Sequence, residues 1–196
     1  MKNAQDVLRR AVAGAVRRDP PALTVAQSWH RDLYAGCTLP VRYFAGEIRD
    51  SDPKFPELIG YEVAVGQAAG VPSLTVPAHL EAFEAAALEA VSVLDDAIPP
   101  AERPATAGIF GSVLRLAAEM HGEWVRIHPF ANGNGRTARI WANWSLVRYG
   151  LPPVVRLRPR PAGDAYAMAA AASMTGDHTP MVSVLNTLIR NRLMAL

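Results

Sequence analysis

Two long stretches dominate the sequence, Pro77 to Ala97 and Thr106 to Arg126, and both repeat apolar residues at helical spacing. In the first, Leu80, Phe83, Ala87, Val91 and Leu94 fall on one face; in the second, Ile109, Val113, Leu116, Met120 and Trp124 do so. Faces of this length are stable only when buried against other helices, which points to a helix-on-helix core. Pro99-Pro100 separates the two, because proline lacks an N–H donor and disfavours helix in the residue before it. Glu81 and Glu84 suit the positive end of the first helix dipole.

The rest of the chain follows the same pattern. An amphipathic opening helix over residues 1–19 should stop before Asp19-Pro-Pro21, and a second from about Thr24 to Tyr34 carries Trp29 and Leu33 on one face. Further helices are expected at Gly135–Tyr149 (Ile140, Trp144 and Val147 inward, closed by Gly150-Leu-Pro-Pro153), at Gly163–Met174 and at Thr179–Leu193. Only Gly36 to Thr75 changes character. It holds short β-prone pieces, Val41–Phe44 and Tyr61–Val65, and the second is expected to pair with Ser73–Val76 through a turn at Gln67–Gly70. The expected fold is all-α, one domain over residues 1–196 with a small β-hairpin.

Half of the 196 residues are hydrophobic and the formal net charge is +2, enough for one core and no strong bias toward nucleic acid. Lys2 and Lys54 are the only lysines, so the basic charge is nearly all arginine, which suits bidentate binding of phosphate. No dense basic tract and no DNA-reading motif accompany it. Cys37 is the only cysteine, which excludes an intrachain disulfide or a cysteine-based zinc site. His30, His79, His121 and His178 have no metal-ligand spacing. Neither a signal-peptide pattern nor a bilayer-length apolar run is present, so a cytoplasmic protein without a membrane partner is expected.

The chemistry concentrates in His128-Pro-Phe-Ala-Asn-Gly-Asn-Gly-Arg-Thr-Ala-Arg139. Gly133, Asn134 and Gly135 precede a helix, where successive backbone N–H groups can converge on an anion and the dipole assists them. Arg136 and Arg139, three apart, fall on one side of that helix and can meet a polyphosphate. His128 can take the proton of a hydroxyl that attacks a phosphorus held in this nest. Phe130 is expected to point into the core and fix the loop.

This run resembles the signature of the Fic family, His-x-Phe-x-(Asp/Glu)-Gly-Asn-Gly-Arg-x-x-Arg. Similar flanks extend the likeness over about residues 30–188: His121–Ile127 before the motif, Tyr149–Pro153 after it, Gly176–Pro180 downstream, and Tyr43-Phe-Ala-Gly-Glu-Ile-Arg49 upstream. Helix 1–19 then stands as an extension. The resemblance implies a Fic fold whose hairpin is the flap that holds a target peptide. It also implies transfer of AMP from ATP, with Mg²⁺ or Mn²⁺, to a Ser, Thr or Tyr hydroxyl of a target protein. By motif position His128 is the base, Gly133, Asn134 and Gly135 form the anion hole, Arg136 holds the β-phosphate side and Arg139 the γ-phosphate.

One position departs from the signature: Asn132 stands where the family has its metal-binding acid, and an amide brings no negative charge to Mg²⁺. Three readings follow: AMP transfer with the metal held mainly by phosphates, use of another phosphate-containing donor, or a degenerate module that only binds nucleotide. No (Ser/Thr)-x-x-x-Glu-(Gly/Asn) inhibitory helix occurs, so a separate antitoxin-like protein, as in a toxin–antitoxin pair, or no such restraint is expected. Self-association to a homodimer is a family expectation. Arg156–Arg160 reads as a solvated loop, His121 and Glu123 as support, Trp141 and Trp144 as core, and Asn143 as a bond back to the motif loop.

Overall fold

The structure, a computed structural model, describes residues 2–195. Among these it has seven α-helices: α1 (Lys2–Val16), α2 (Leu23–Leu33), α3 (Val76–Ala97), α4 (Ala107–Ile127), α5 (Asn134–Arg148), α6 (Asp164–Met174) and α7 (Thr179–Met194), with one hairpin of β1 (Ala64–Val65) and β2 (Ala68–Ala69). The all-helical expectation and its helix boundaries agree with this to within about two residues.

α4 is the axis of the fold, packed by α3, α5, α6 and α7. Its apolar face is broad: Val113, Leu116, Met120 and Trp124 are buried together with Leu114, Ala117, Val125 and Ile127. Where α4 crosses α5, Trp124 lies 6.0 Å from Trp141, and Phe83 of α3 and Trp29 of α2 meet the same pair of indoles. α1 packs on α5 through Val7, Ala11 and Ala15, whose small side chains permit close approach. At the far end of α5, Arg148 is buried, bonds the Asp95 carboxylate of α3 in a forked pair and donates to the Asp19 carbonyl at 2.9 Å.

The hairpin differs from its expected register. Ala64 pairs with Ala69 and Val65 with Ala68, so the loop is Gly66-Gln67, not Gln67–Gly70. Gly66 at φ +63 supplies the positive φ that a two-residue hairpin loop needs. Ser73–Thr75 is a 3₁₀ turn leading into α3 instead of a strand: Pro72 has no donor for a ladder, and the Ser73 N–H is taken by the Glu62 carboxylate at 2.9 Å. Val41–Phe44 is also no strand, since Arg42–Phe44 forms a 3₁₀ turn. β2 rests against α6.

Asn143 is a second correction. Its amide does not reach the motif loop but clasps Val155, accepting from the Val155 N–H at 3.0 Å and donating to its carbonyl at 2.7 Å. It lies more than two turns into α5, where its side chain faces the chain that returns after the helix. Arg156, Arg158 and Arg160 of that returning segment are exposed, as a solvated loop should be.

Two histidines are built into the core as neutral rings. His121 is fully buried with Nε2 2.8 Å from the Tyr166 hydroxyl, and burial pulls its pKa down to about 3. His30 is equally enclosed, and burial pulls it down to about 4. An unfolded histidine titrates near 6.5. Both groups therefore stabilise the fold fully above about pH 6.5, and that contribution is lost as pH falls toward 4, by about 1.4 kcal/mol per pH unit for each. Urea unfolding between pH 7 and 4.5 should show this slope, and His30→Gln should remove close to one proton's share of it. An unchanged slope in that variant would show that His30 is not held neutral.

Candidate active site

The motif occupies the turn between α4 and α5. α4 ends with His128 in the left-handed region (φ 55, ψ 54), its N–H bonding the Trp124 carbonyl. A non-glycine residue is costly there and persists only when its surroundings fix it. Arg49 does so. Its side chain is fully buried and donates from Nε to the His128 carbonyl at 2.9 Å, from Nη2 to those of Ile127 and Val71 at 3.0 Å, and from Nη1 to that of Tyr61 at 2.7 Å. The Arg49 N–H also bonds the Pro129 carbonyl at 2.9 Å. One guanidinium thus ties the motif to both ends of the hairpin segment. On that side, a Cβ at Gly70 would come within 3.1 Å of the His128 Cβ.

The His128 ring is oriented by its own helix. Nδ1 lies 2.9 Å from the Val125 carbonyl, an acceptor only, so Nδ1 carries the proton and Nε2 presents a bare lone pair. Burial is the main cause that holds the imidazole pKa below the ordinary histidine value, opposed by the Val125 bond and aided by the Arg49 charge. The ring is therefore neutral at physiological pH, the form that can accept a proton.

Past His128, Phe130 is fully buried and stacks on His30 with ring centroids 3.8 Å apart. Asn134 clasps the loop: Oδ1 accepts from the Phe130 N–H at 2.9 Å and Nδ2 donates to the Phe130 carbonyl at 2.8 Å. Gly133 caps α5 at φ +79, and a Cβ there would come within 2.9 Å of both His30 Nε2 and Tyr34 Oη. The N–H groups of Asn134 and Gly135, the first two of α5, meet no acceptor among the described residues. They form an open pair of donors at a helix N-terminus.

The two arginines flank this pair but diverge toward different helices instead of lying side by side. Arg139 is buried, its guanidinium over Gly135, donating to the Leu157 carbonyl at 2.9 Å and the Tyr166 hydroxyl at 3.4 Å, while its Nε has no partner among the described residues. Arg136 stacks on the Tyr34 ring, 4.6 Å from its centroid, and donates to the Tyr34 hydroxyl. Neither meets a carboxylate among the described residues. A buried guanidinium facing open donors without a counter-charge is an arrangement that an anion completes.

Asn132 is exposed, and its Oδ1 accepts from the Gly133 N–H at 2.6 Å. The oxygen expected to meet a metal is thus turned onto the loop, and no group of three His, Cys, Asp or Glu side chains among the described residues is placed to hold an ion. This donor set does not fit a metal held by the protein.

Sequence reasoning missed three residues that hold the site. Arg49 was legible only as part of a flanking likeness. His30, set aside for lack of metal spacing, accepts from the Gly46 N–H at Nδ1 and so donates from Nε2 to the Asn132 carbonyl at 2.8 Å. Tyr34 gave no signal at all. His178 and Glu123, 2.7 Å apart, support α4 with Arg126 and lie outside the motif. A cleft of about 700 Å³ between α4 and the start of α7 holds none of the motif residues.

An all-helical domain with a constrained histidine and an open amide pair at a helix N-terminus, flanked by two arginines that meet no carboxylate among the described residues, offers donors of the kind that suit an anion. Comparison with known proteins is more specific. The family model described as Fic/DOC family matches residues 22–146, and the chain belongs to that family. It is 39% identical over 75 residues to a uridine 5'-monophosphate transferase of Xanthomonas campestris pv. campestris (strain 8004), covering 38% of this chain and 13% of that protein. It is 52% identical over 42 residues to the protein adenylyltransferase Fic of Culex quinquefasciatus, covering 21% of this chain and 8% of that protein. The matches thus span a small part of either relative. In fold it is similar to a Fic domain containing signaling protein from Bacteroides thetaiotaomicron VPI-5482, with TM-score 0.67 and 19% identity over 97% of this chain and 68% of that one. Fic-1 of C. elegans gives TM-score 0.61 at 19% identity, over 99% of this chain and 51% of that one.

Replacing Arg49 by Met should cost about 3–5 kcal/mol in urea unfolding, because four carbonyls lose their donor at once. Arg49→Lys should recover little of it, since an ammonium cannot span them. Wild-type stability in Arg49→Met would refute the hub.

Proposed function

We propose that this protein is a nucleotidyltransferase that moves a nucleoside monophosphate, AMP from ATP, onto a hydroxyl of a target protein. The observation that carries the reading is His128, held neutral with Nε2 bare, one short loop before open amides flanked by two arginines without counter-charge. The target hydroxyl oxygen attacks the α-phosphorus while its proton passes to His128 Nε2. The bond from that phosphorus to the bridging oxygen breaks, and pyrophosphate leaves with the electron pair. The Asn134 and Gly135 amides, Arg136 and Arg139 face the charge that develops. The hairpin, tied by Arg49 to the His128 backbone, is the element along which a target segment aligns. On this reading residues 1–196 act as one unit.

A second reading, a donor other than ATP, is favoured by the similarity to the Xanthomonas uridine 5'-monophosphate transferase together with the neutral Asn132. The experiment is incubation of the purified chain and a lysate with each of the four labelled nucleoside triphosphates and Mg²⁺, read by mass spectrometry. Label from ATP supports the first reading and label from UTP the second. His128→Ala should lose at least about a hundredfold of the rate, and equal labelling would remove the base assignment. Asn132→Asp should raise AMP transfer or metal affinity.

The acid limb of the pH–rate profile should fall at a pKa below the ordinary histidine value, because only the neutral ring accepts a proton and burial favours that form. An acid limb at or above 6.5 would contradict the burial argument.

A further inference from the structure

We propose that Tyr34 is a positioning residue for Arg136, fixing one edge of its guanidinium against the nest so that the remaining donors face the phosphates of the donor nucleotide. The proposal rests on the nucleotide-transfer reading for what Arg136 meets, but the contact itself stands apart from it. His30 on α2 and Tyr34 at its C-cap lie one turn apart on the side turned to the motif, with their rings 4.9 Å apart. His30 pins the Asn132 carbonyl, and the Tyr34 hydroxyl lies against Gly133, where a Cβ would come within 2.9 Å of it. The same hydroxyl accepts from Arg136 Nη2 while the ring supports the guanidinium at 4.6 Å from its centroid. Arg136 Nε and Nη1 have no partner among the described residues, and the side chain is partly exposed.

The chemistry of the holder matters. A carboxylate at this place would fix Arg136 but cancel the charge a phosphate needs. A phenol fixes it and leaves that charge intact, and burial pushes the Tyr34 phenol up, keeping it protonated. Arg139 is held in the same manner, by the Tyr166 hydroxyl and a backbone carbonyl. A long side chain with one edge fixed loses less freedom when an anion binds its other edge.

The test uses the whole chain and inorganic tripolyphosphate as probe, measured by calorimetry, beside KM and kcat for the nucleotide donor. Tyr34→Phe, which keeps the ring and removes the acceptor, should weaken tripolyphosphate about tenfold and raise KM by a similar factor with a smaller change in kcat. Tyr34→Leu should weaken it further. Adding Tyr34→Phe to Arg136→Ala should cost nothing more, since the two act through one interaction. In a spectrum of arginine Nε–Hε groups, Arg136 should carry an upfield ring-current shift that Tyr34→Leu abolishes. If Tyr34→Phe binds tripolyphosphate as well as wild type while Arg136→Ala does not, the proposal is overturned and the phosphate site stands. Tighter binding by Tyr34→Phe overturns it too, since Tyr34 would then draw Arg136 away from the anion. If wild type itself does not bind tripolyphosphate, the phosphate site falls and the proposal with it.

Discussion

Arg49 gathers the carbonyls of His128, Ile127, Val71 and Tyr61 on one buried guanidinium. The nearest carboxylate oxygen, on the largely exposed Glu62, stands 3.7 Å away, so hydrogen-bond geometry dominates this contact over charge pairing. Directed bonds to four fixed carbonyls demand one backbone conformation, whereas a charge pair tolerates many. The left-handed His128, the turn into the motif loop and the roots of the hairpin are all consequences of satisfying that fork. His128 and the hairpin are thereby tied to one another through a single side chain.

Beside this tie, the two arginines of the motif meet no carboxylate among the described residues. Arg136 and Arg139 are held by tyrosine hydroxyls and a carbonyl, and Asn132 turns a neutral amide onto its own loop. Leaving cationic groups and helix amides without counter-charge costs stability and is retained where a ligand supplies the missing anion. Two other arginines with little exposure, Arg148 and Arg126, are paired with carboxylates, those of Asp95 and Glu123. Arg136 and Arg139 at the α4–α5 turn have no such carboxylate among the described residues.

Much of this was legible in the sequence because it depends on local spacing. Helix faces such as Val113 to Trp124 are periodic, and the open amides of Asn134 and Gly135 follow from where a helix begins, whereas the Gly133 amide, expected to join them, is taken by Asn132 Oδ1. What depends on distant backbone was not legible. The hairpin register turned on Gly66 and on Glu62 reaching the Ser73 amide, and neither is a matter of strand propensity. Asn143 was expected at the motif loop because it shares a helix with it, but a side chain that deep in α5 meets the returning segment at Val155. Arg136 and Arg139 share a face by count, yet their long side chains are drawn apart to α2 and α6.

The sequence by itself determined the helical fold, the family to which the chain belongs and the loop that carries the candidate site residues, since each is written within a few turns of chain. Only the tertiary structure decided how that loop is held: His30 and Tyr34 reach it from about a hundred residues away, and Arg49 from nearly eighty. These contacts leave no periodicity or motif, because a buried polar group needs only a partner in space and sequence distance does not enter its energy.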